Sequence, residues 1–237
     1  MSSESYPGHE LDLASHAYRW KSYFASLLRP HLGPSVLEVG AGLGGTTQVL
    51  ARGHVGRWLC LEPDARLASH ISEAIVSGTL PASCRVETGT LSALAEDERF
   101  DSILYIDVLE HIENDFAEAE HAARHLNPGG KLIVLAPAYP WLYGVFDESI
   151  GHFRRYTKRT LLRVAPASLQ VTTCFYLDSF GLLASAGNRF ILHASLPTRA
   201  QIGLWDRVMV PLSQVVDPLL GYSFGRSVIG IWQKELS

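Results

Sequence analysis

The stretch that decides the fold is VLEVGAGLGGTT, residues 36–47. Its first residues are mostly apolar, which predicts a buried strand, and four of the six residues from 40 to 45 are glycine, which predicts a turn. A helix should begin near Thr46. Glycines let the backbone approach a ligand closely. Because the first N–H groups of a helix have no partners within it, we expect the ligand above this loop to carry polar or anionic groups.

The glycine loop also satisfies the GxGxxG pattern of dinucleotide-binding turns, through Gly40, Gly42 and Gly45. Glu62 follows about twenty residues later, at the end of the next apolar stretch, where a carboxylate can accept hydrogen bonds from both hydroxyls of a ribose. Both features suit NAD and other adenosine-containing ligands alike. A nicotinamide-dependent oxidoreductase and a non-catalytic nucleotide-binding module therefore stay open at this point.

Strand and helix patterns alternate along the first 137 residues. Such alternation predicts an α/β fold with a parallel, doubly wound sheet. Asn114 is positioned to cap one of the helices, and LNPGG (126–130) predicts a turn before the fifth strand. The predicted strands lie at 36–39, 57–64, 84–90, 100–112 and 131–138, and the predicted helices at 11–28, 46–52, 66–76 and 114–126.

The second part of the chain begins with an irregular stretch, AYPWLYGVFDESIGHFRRYTKRTL (138–161), which is rich in aromatic residues and arginines. Its lack of periodicity predicts a functional loop. Strands are predicted at 169–177 and 227–235, with helices over 180–194 and over 201–220, the latter kinked at Pro211. Without an internal repeat or a linker, we expect one domain over 1–237. Its parts are an N-terminal helical segment (1–33), a cofactor-binding core (34–137), a substrate lid (138–165) and C-terminal strands and helices (166–237).

The composition is that of an ordinary globular protein, with 47% hydrophobic and 19% charged residues among 237. A formal net charge of −4 gives no general attraction to nucleic acid, so we expect no nucleic-acid partner. Cys60, Cys84 and Cys174 lack CxxC spacing, so neither a disulfide framework nor a metal site is expected. The N-terminus does not resemble a signal peptide, and no apolar run has membrane-spanning length, so a cytoplasmic protein is expected.

A glutamate inside the first strand narrows the ligand class. Glu38 would cost free energy when buried unless it meets a cationic ligand or nearby N–H groups, and an amino acid carrying a sulfonium would suit it. VLEVGAGLGG, CLEPD, DVLEHI and LNPGGKLIV together resemble the class I S-adenosylmethionine-dependent methyltransferases. The resemblance implies a Rossmann-like, mostly parallel seven-stranded sheet with an antiparallel last strand, S-adenosylmethionine as cofactor and methyl transfer to a small molecule.

The same resemblance implies a set of residues around the cofactor. Thr90 departs from the family, because many relatives carry an acid in this loop, so its hydroxyl or the backbone is expected to contact adenine instead. The implied contacts are Glu38, Gly40 and Gly42 for the methionine part, Glu62 for the ribose, Pro63, Thr90 and Leu91 for the adenine, and Asp107, Val108 and Leu109 near the transferred methyl group.

Two histidines are candidate catalytic residues, His111 in DVLEHI and His152 in GHFRRY. An imidazole can accept a proton near neutral pH, although His111 can equally orient its loop. Methyl transfer is an in-line displacement in which positioning of the acceptor supplies much of the rate, so a base is not indispensable.

The GHFRRY segment resembles the lid of a subgroup of bacterial methyltransferases. Arginine suits carboxylates and phosphates, which favours O-methylation of an anionic or phenolic acceptor over N- or C-methylation. In the alternative interpretation, the arginines pair with Asp147 and Glu148 and only fasten the lid. The expected substrate-binding residues are Tyr139, Tyr143, His152, Arg154 and Arg155.

The C-terminal helices carry an apolar stripe at helical spacing: Trp205, Met209, Leu212 and Val216. Such a stripe is usually core. Three other roles for this stripe stay open: the wall of a pocket, the face of a homodimer and a peripheral contact with a membrane.

Overall fold

The computed structural model describes residues 17–188 and 198–236. Seven strands form one sheet in the order β3-β2-β1-β4-β5-β7-β6. All neighbours pair in parallel except β7, which is antiparallel to both β5 and β6, as predicted for the last strand. The strands are β1 Ser35–Val39, β2 Arg57–Glu62, β3 Cys84–Thr88, β4 Phe100–Ile106, β5 Leu126–Pro137, β6 Leu169–Leu177 and β7 Ser227–Lys234.

Helices connect the strands and cover both faces of the sheet. Asn114 caps α4, as predicted, by accepting a hydrogen bond from the Ala117 N–H, and Asp64 caps α3 in the same way. The helices are α1 Tyr18–Leu28, α2 Gly45–Leu50, α3 Ala65–Val76, α4 Asp115–Arg124, α5 Val145–Ser149, α6 Lys158–Leu161, α7 Ser179–Gly187, α8 Arg199–Leu204 and α9 Val210–Leu219.

Side chains alternate between the two faces of the central strands, which creates two hydrophobic cores. In β1, Val36 points into the core beneath α1, while Leu37 and Val39 point into the core beneath α4. The carboxyl ends of the parallel strands meet at one edge. The strand order reverses between β1 and β4, and open α/β sheets bind their ligands at such a reversal.

Several predicted element ends differ from the structure, and two predicted helices extend beyond its described part. The fourth strand, predicted over 100–112, ends at Ile106, because the chain turns at Asp107 with φ +54°. The turn predicted at 126–130 is a bulge inside β5, because Phe100 pairs with Leu126 whereas Ser102 already pairs with Lys131. The helix predicted over 11–28 is described from Tyr18 onward, and residues 11–16 lie outside the described part. The helix predicted over 180–194 is described only through residue 188.

The C-terminal helical segment is interrupted where a kink was predicted. A π-helical turn at Trp205–Met209 joins α8 to α9 just before Pro211. The apolar stripe is divided: Trp205 is buried in the core beneath α1, but Leu212 is 44% exposed. None of the helices within 17–188 and 198–236 is long and apolar enough to cross a membrane.

Candidate active site

The glycine loop after β1 has a backbone that requires glycine. Gly40 has φ +67°, and a Cβ there would lie 2.7 Å from a Val108 methyl group. Gly42 has φ +58° and donates its N–H to the Glu62 carboxylate at 2.7 Å. Side chains at both positions would strain the backbone, and one at Gly40 would also collide with Val108. The structure thus brings Gly40, Gly42 and Val108 together at the predicted cofactor position.

Glu62 ends β2 beside this loop, and its carboxylate is held from two sides. One oxygen accepts the Gly42 N–H, and the other accepts the Asp64 N–H at 2.9 Å. Burial raises the pKa of this carboxyl group. Each oxygen keeps a further acceptor position, so the carboxylate is oriented and able to receive hydroxyl donors. Pro63, the next residue, is exposed at the same edge.

Glu38 is buried in β1 and obtains its hydrogen bonds from the protein. The Thr47 hydroxyl donates at 2.7 Å and the Trp58 indole N–H donates at 2.9 Å, both to the same carboxylate oxygen. Burial raises the pKa of Glu38 to about 7. Of the two partners expected for this residue, a cationic ligand or N–H groups, the structure supplies an N–H group.

Lys21 on α1 is a site residue that the sequence analysis missed. A Cβ on Gly45 would lie 2.5 Å from its ammonium nitrogen, so the lysine reaches the start of α2 only because residue 45 is glycine. Burial lowers the pKa of Lys21, and the carboxylates of Asp107, Asp206 and Glu38 oppose that shift. A lone lysine within an aromatic helix was the only sequence signal, and it did not indicate where α1 would pack.

The predicted adenine loop follows β3 and presents few side chains to the cofactor. The Thr90 hydroxyl is exposed and hydrogen-bonds to the Ser92 hydroxyl at 2.8 Å. Leu91 is buried in the core beneath α4. Contacts from this loop would therefore come from the Thr90 hydroxyl and the backbone.

The segment after β4 forms the floor of the crevice. Asp107 has φ +54° and donates its N–H to Leu135, which turns the chain sharply at the strand end. The Asp107 side chain is exposed, Val108 packs over Gly40, and Leu109 points into the core. Of the three residues expected near the methyl group, Asp107 is exposed, Val108 is partly exposed and Leu109 is buried.

The lid segment lies directly on this floor. The Phe153 N–H donates to the Glu110 carbonyl at 2.8 Å. Arg154 donates to the carbonyls of Ile112 and Glu113 and forms an ion pair with Asp115 at 2.8 Å. GHFRRY and DVLEHI, which are far apart in the sequence, are thus parts of one surface.

The second arginine of the lid is bound within the lid itself. Arg155 donates to Asp147 at 2.7 Å, as in the lid-fastening interpretation, whereas the partner of Arg154 is Asp115 and not Glu148. Asp147 also accepts a hydrogen bond from His152 at 2.9 Å. Although burial opposes it, these two bonds hold the pKa of Asp147 below its usual value.

The aromatic residues of the lid have different neighbours. Tyr143 donates its hydroxyl to the His152 carbonyl at 2.7 Å and so braces the segment from within. Tyr139 has φ +62° and stacks on Tyr176, with ring centroids 4.8 Å apart. Trp141 lies 5.8 Å from Tyr139 by the same measure, and these three rings form one aromatic patch.

The two candidate catalytic histidines are in contact. The ring centroids of His111 and His152 are 4.5 Å apart, in an edge-to-face arrangement. Burial, followed by the charge of His152, lowers the pKa of His111 to about 4, so its imidazole is neutral at pH 7. Beneath both rings lies Glu110, whose side chain is fully buried and which the sequence analysis did not single out.

Comparison with known proteins places this geometry in a family. The model of a methyltransferase-domain family matches residues 13–177, which is more than half of the chain. No curated protein sequence is similar enough to this chain to count as a match.

Three solved structures share the fold at low sequence identity. The methyltransferase solved with the Haloferax volcanii Trm112 methyltransferase activator has a TM-score of 0.65 at 15% identity, over 97% of this chain and 95% of that one. The N-methyltransferase NodS from Bradyrhizobium japonicum, solved with S-adenosyl-L-homocysteine, has a TM-score of 0.57 at 14% identity, over 92% and 88%. The [4+2]-cyclase SpnF has a TM-score of 0.62 at 16% identity, over 91% and 81%.

The family match decides between the cofactor classes that the glycine loop left open. Its matched range includes the loop, Glu62 and the floor segment after β4. The chain therefore belongs to the methyltransferase-domain family and is a class I S-adenosylmethionine-dependent methyltransferase.

Proposed function

We propose that this methyltransferase methylates a hydroxyl oxygen of a small molecule, with phenols as the preferred acceptors. The observation that supports this proposal is that both arginines of the lid are paired with aspartates. Arg154 is matched by Asp115 and Arg155 by Asp147, so neither arginine brings an unbalanced positive charge to the crevice. This arrangement favours a phenol over a carboxylate among the anionic or phenolic acceptors that the sequence predicts.

The residues around the glycine loop fit S-adenosylmethionine. The Glu62 carboxylate is oriented to accept both ribose hydroxyls, with Pro63 and the Thr90 loop next to it for the adenine. Lys21 lies over the start of α2 and is suited to the methionine carboxylate. Glu38 acts on the methionine part through Thr47 and the loop it supports. When bound, S-adenosylmethionine supplies an electrophilic methyl carbon that the acceptor attacks in line.

The protein's contribution to the reaction is chiefly positioning. The Tyr139–Tyr176 stack and Trp141 offer ring faces on which an aromatic acceptor can pack. His111 and His152 are the side chains that we assign to the acceptor oxygen, because the His152 ring of the lid contacts the His111 ring of the floor segment. The lid, braced by Tyr143, excludes water from the crevice.

A panel of acceptors with isotopically labelled cofactor tests the proposal. Phenols should accept label, and the corresponding benzoates and anilines should accept at least tenfold less. If anilines or aliphatic amines are the better acceptors, the enzyme is an N-methyltransferase, and label on ring carbon would make it a C-methyltransferase. Transfer to benzoates but not to phenols would indicate that the lid arginines bind the substrate carboxylate.

A further inference from the structure

Glu110 lacks the partners that a buried carboxylate needs. Its side chain is fully buried, and neither carboxylate oxygen finds a hydrogen-bond partner outside its own residue in the described part of the chain. Leaving such a buried polar group unsatisfied destabilises the folded protein. A ligand that fills this position would remove the cost.

Two imidazoles surround the same point. His152 Nε2 lies 3.8 Å from the nearer Glu110 oxygen, and one ligand atom each from Glu110, His111 and His152 all fall within 4.8 Å of one another. Ligand atoms that share one small divalent cation at about 2.0–2.2 Å lie roughly 3–4 Å apart, so the three groups need only a small inward movement to share one.

The surrounding residues orient both imidazoles. His152 Nδ1 is bonded to Asp147 at 2.9 Å, which directs its Nε2 towards Glu110. His111 hydrogen-bonds to the backbone of Ile150 and Gly151. Histidine ligands of metals characteristically use their second ring nitrogen in this way, with a carboxylate or a carbonyl as partner.

We propose that Glu110, His111 and His152 bind one divalent first-row transition-metal ion at the floor of the crevice. Two imidazoles and one carboxylate favour such ions over Mg²⁺ or Ca²⁺, which prefer oxygen ligands. The sequence analysis expected no metal site because it considered cysteine spacing, whereas these ligands come from two segments that meet only in the fold.

The cation has a role in catalysis that rests on the proposed O-methylation. Three protein ligands leave a coordination position open, and the acceptor hydroxyl can occupy it. Binding to the cation lowers the pKa of the hydroxyl, whose proton passes to water, so the acceptor becomes a better nucleophile without a protein base. The acceptor class is then a phenol whose oxygen can ligate a metal.

Metal binding is measured on the full chain without an affinity tag, after treatment with a chelator. Isothermal titration with Mn²⁺ and Zn²⁺, and visible absorption with Co²⁺, should show one ion per chain. Glu110→Gln and His152→Ala should each weaken binding at least tenfold. His121→Ala is the matched control, because His121 and His125 form another histidine pair, with ring centroids 5.2 Å apart, and this change should leave binding unaltered.

Three results would overturn the metal site. They are an affinity for Mn²⁺, Zn²⁺ and Co²⁺ no higher than that for Mg²⁺, unchanged binding in Glu110→Gln, and loss of binding in His121→Ala. Affinity for S-adenosylhomocysteine checks that each variant is folded. If Glu110→Gln fails this check, the Co²⁺ absorption spectrum of His152→Ala is compared with that of the parent protein. An identical spectrum would then overturn the metal site. Phenol methylation that is insensitive to chelators would refute the catalytic role alone, whereas a metal-binding protein that methylates only amines would refute the proposed function and leave the metal site standing.

Discussion

At the residue scale, the cofactor site depends on carboxylates whose environments differ. Glu62 is oriented by two backbone N–H groups and lies at the edge of the crevice, whereas Glu38 lies beneath the loop with both its donors inside the protein. We therefore expect a change at Glu62 to alter ligand recognition, and a change at Glu38 to alter how stability depends on pH.

The ribose assignment of Glu62 is tested by a pair of ligands. Hydrogen bonds to a charged group contribute about 1.5–3 kcal/mol, so Glu62→Ala should weaken binding of S-adenosylhomocysteine by roughly that amount. The parent protein should bind the 2′-deoxy analogue more weakly than S-adenosylhomocysteine, and the variant should bind the two equally in calorimetry. Persistent discrimination between them in Glu62→Ala would show that another group holds the ribose.

Glu38 should make the ligand-free protein less stable as the pH rises. Burial raises its pKa in the folded state to about 7 from the usual 4.5, so the folded chain holds a proton that the unfolded chain releases between these values. The stabilisation is complete below pH 4.5 and is lost as the pH rises towards 7. Glu38→Gln should remove this dependence and gain on the order of 3 kcal/mol relative to the parent at pH 8.

Urea unfolding of both proteins from pH 4 to pH 8 measures the difference, since other carboxyl groups titrate equally in the two chains. The Trp58 indole can still donate to the glutamine carbonyl, which makes this variant a conservative one. A constant difference in unfolding free energy across the range would contradict a raised pKa for Glu38.

At the element scale, α1 is held in place by a residue from the other end of the chain. The residue before it, Ala17, supplies no side-chain cap, and Asp206 instead accepts the N–H groups of Arg19 and Trp20. This contact sets the position of α1 and therefore brings Lys21 to the glycine loop.

Lys21 should recognise the carboxylate of the cofactor's methionine part. Lys21→Met should lower the affinity for S-adenosylmethionine about tenfold, in line with the loss of one charge-assisted hydrogen bond, and Lys21→Arg should retain most of it. Decarboxylated S-adenosylmethionine is the control ligand. The parent should bind it weakly, and Lys21→Met should bind it no worse than the parent does; an equal loss for both ligands would point to a structural role for the lysine.

At the scale of the whole molecule, Asp217 on α9 connects three parts of the fold. Its carboxylate accepts the Tyr23 hydroxyl from α1 at 2.9 Å and the N–H groups of Asp178 and Ser179, at the start of α7, at 2.7 and 3.0 Å. The side chain is fully buried. The carboxyl end of the sheet and both terminal helical segments thus share one buried acceptor.

Asp217→Ala should destabilise the protein by about 3 kcal/mol or more, because three buried donors lose their acceptor at once. Tyr23→Phe removes a single donor and should cost about 1 kcal/mol. Asp97→Ala is the surface control, since Asp97 is exposed, and should change stability by less than about 0.5 kcal/mol. Chemical denaturation gives all three values, and similar costs for Asp217→Ala and Asp97→Ala would refute the connecting role.

Local patterns in the sequence were sufficient to predict the strands, the glycine loop and the cap at Asn114. Hydrophobic periodicity and turn residues act over a few positions, so they report the elements and the edge at which parallel strands end. The resemblance of four motifs then identified the methyltransferase family, which the family match confirmed.

Only the tertiary structure decided which distant side chains meet. The partner of Arg154 is Asp115, Lys21 lies at the glycine loop, and Glu110 lies beneath His152. These contacts join positions tens of residues apart, and no periodicity encodes them, because they depend on how α1 and the lid pack on the sheet. The sequence alone determined the fold and the cofactor of this protein, whereas packing determined which charges are matched in its crevice and which carboxylate is left for a ligand.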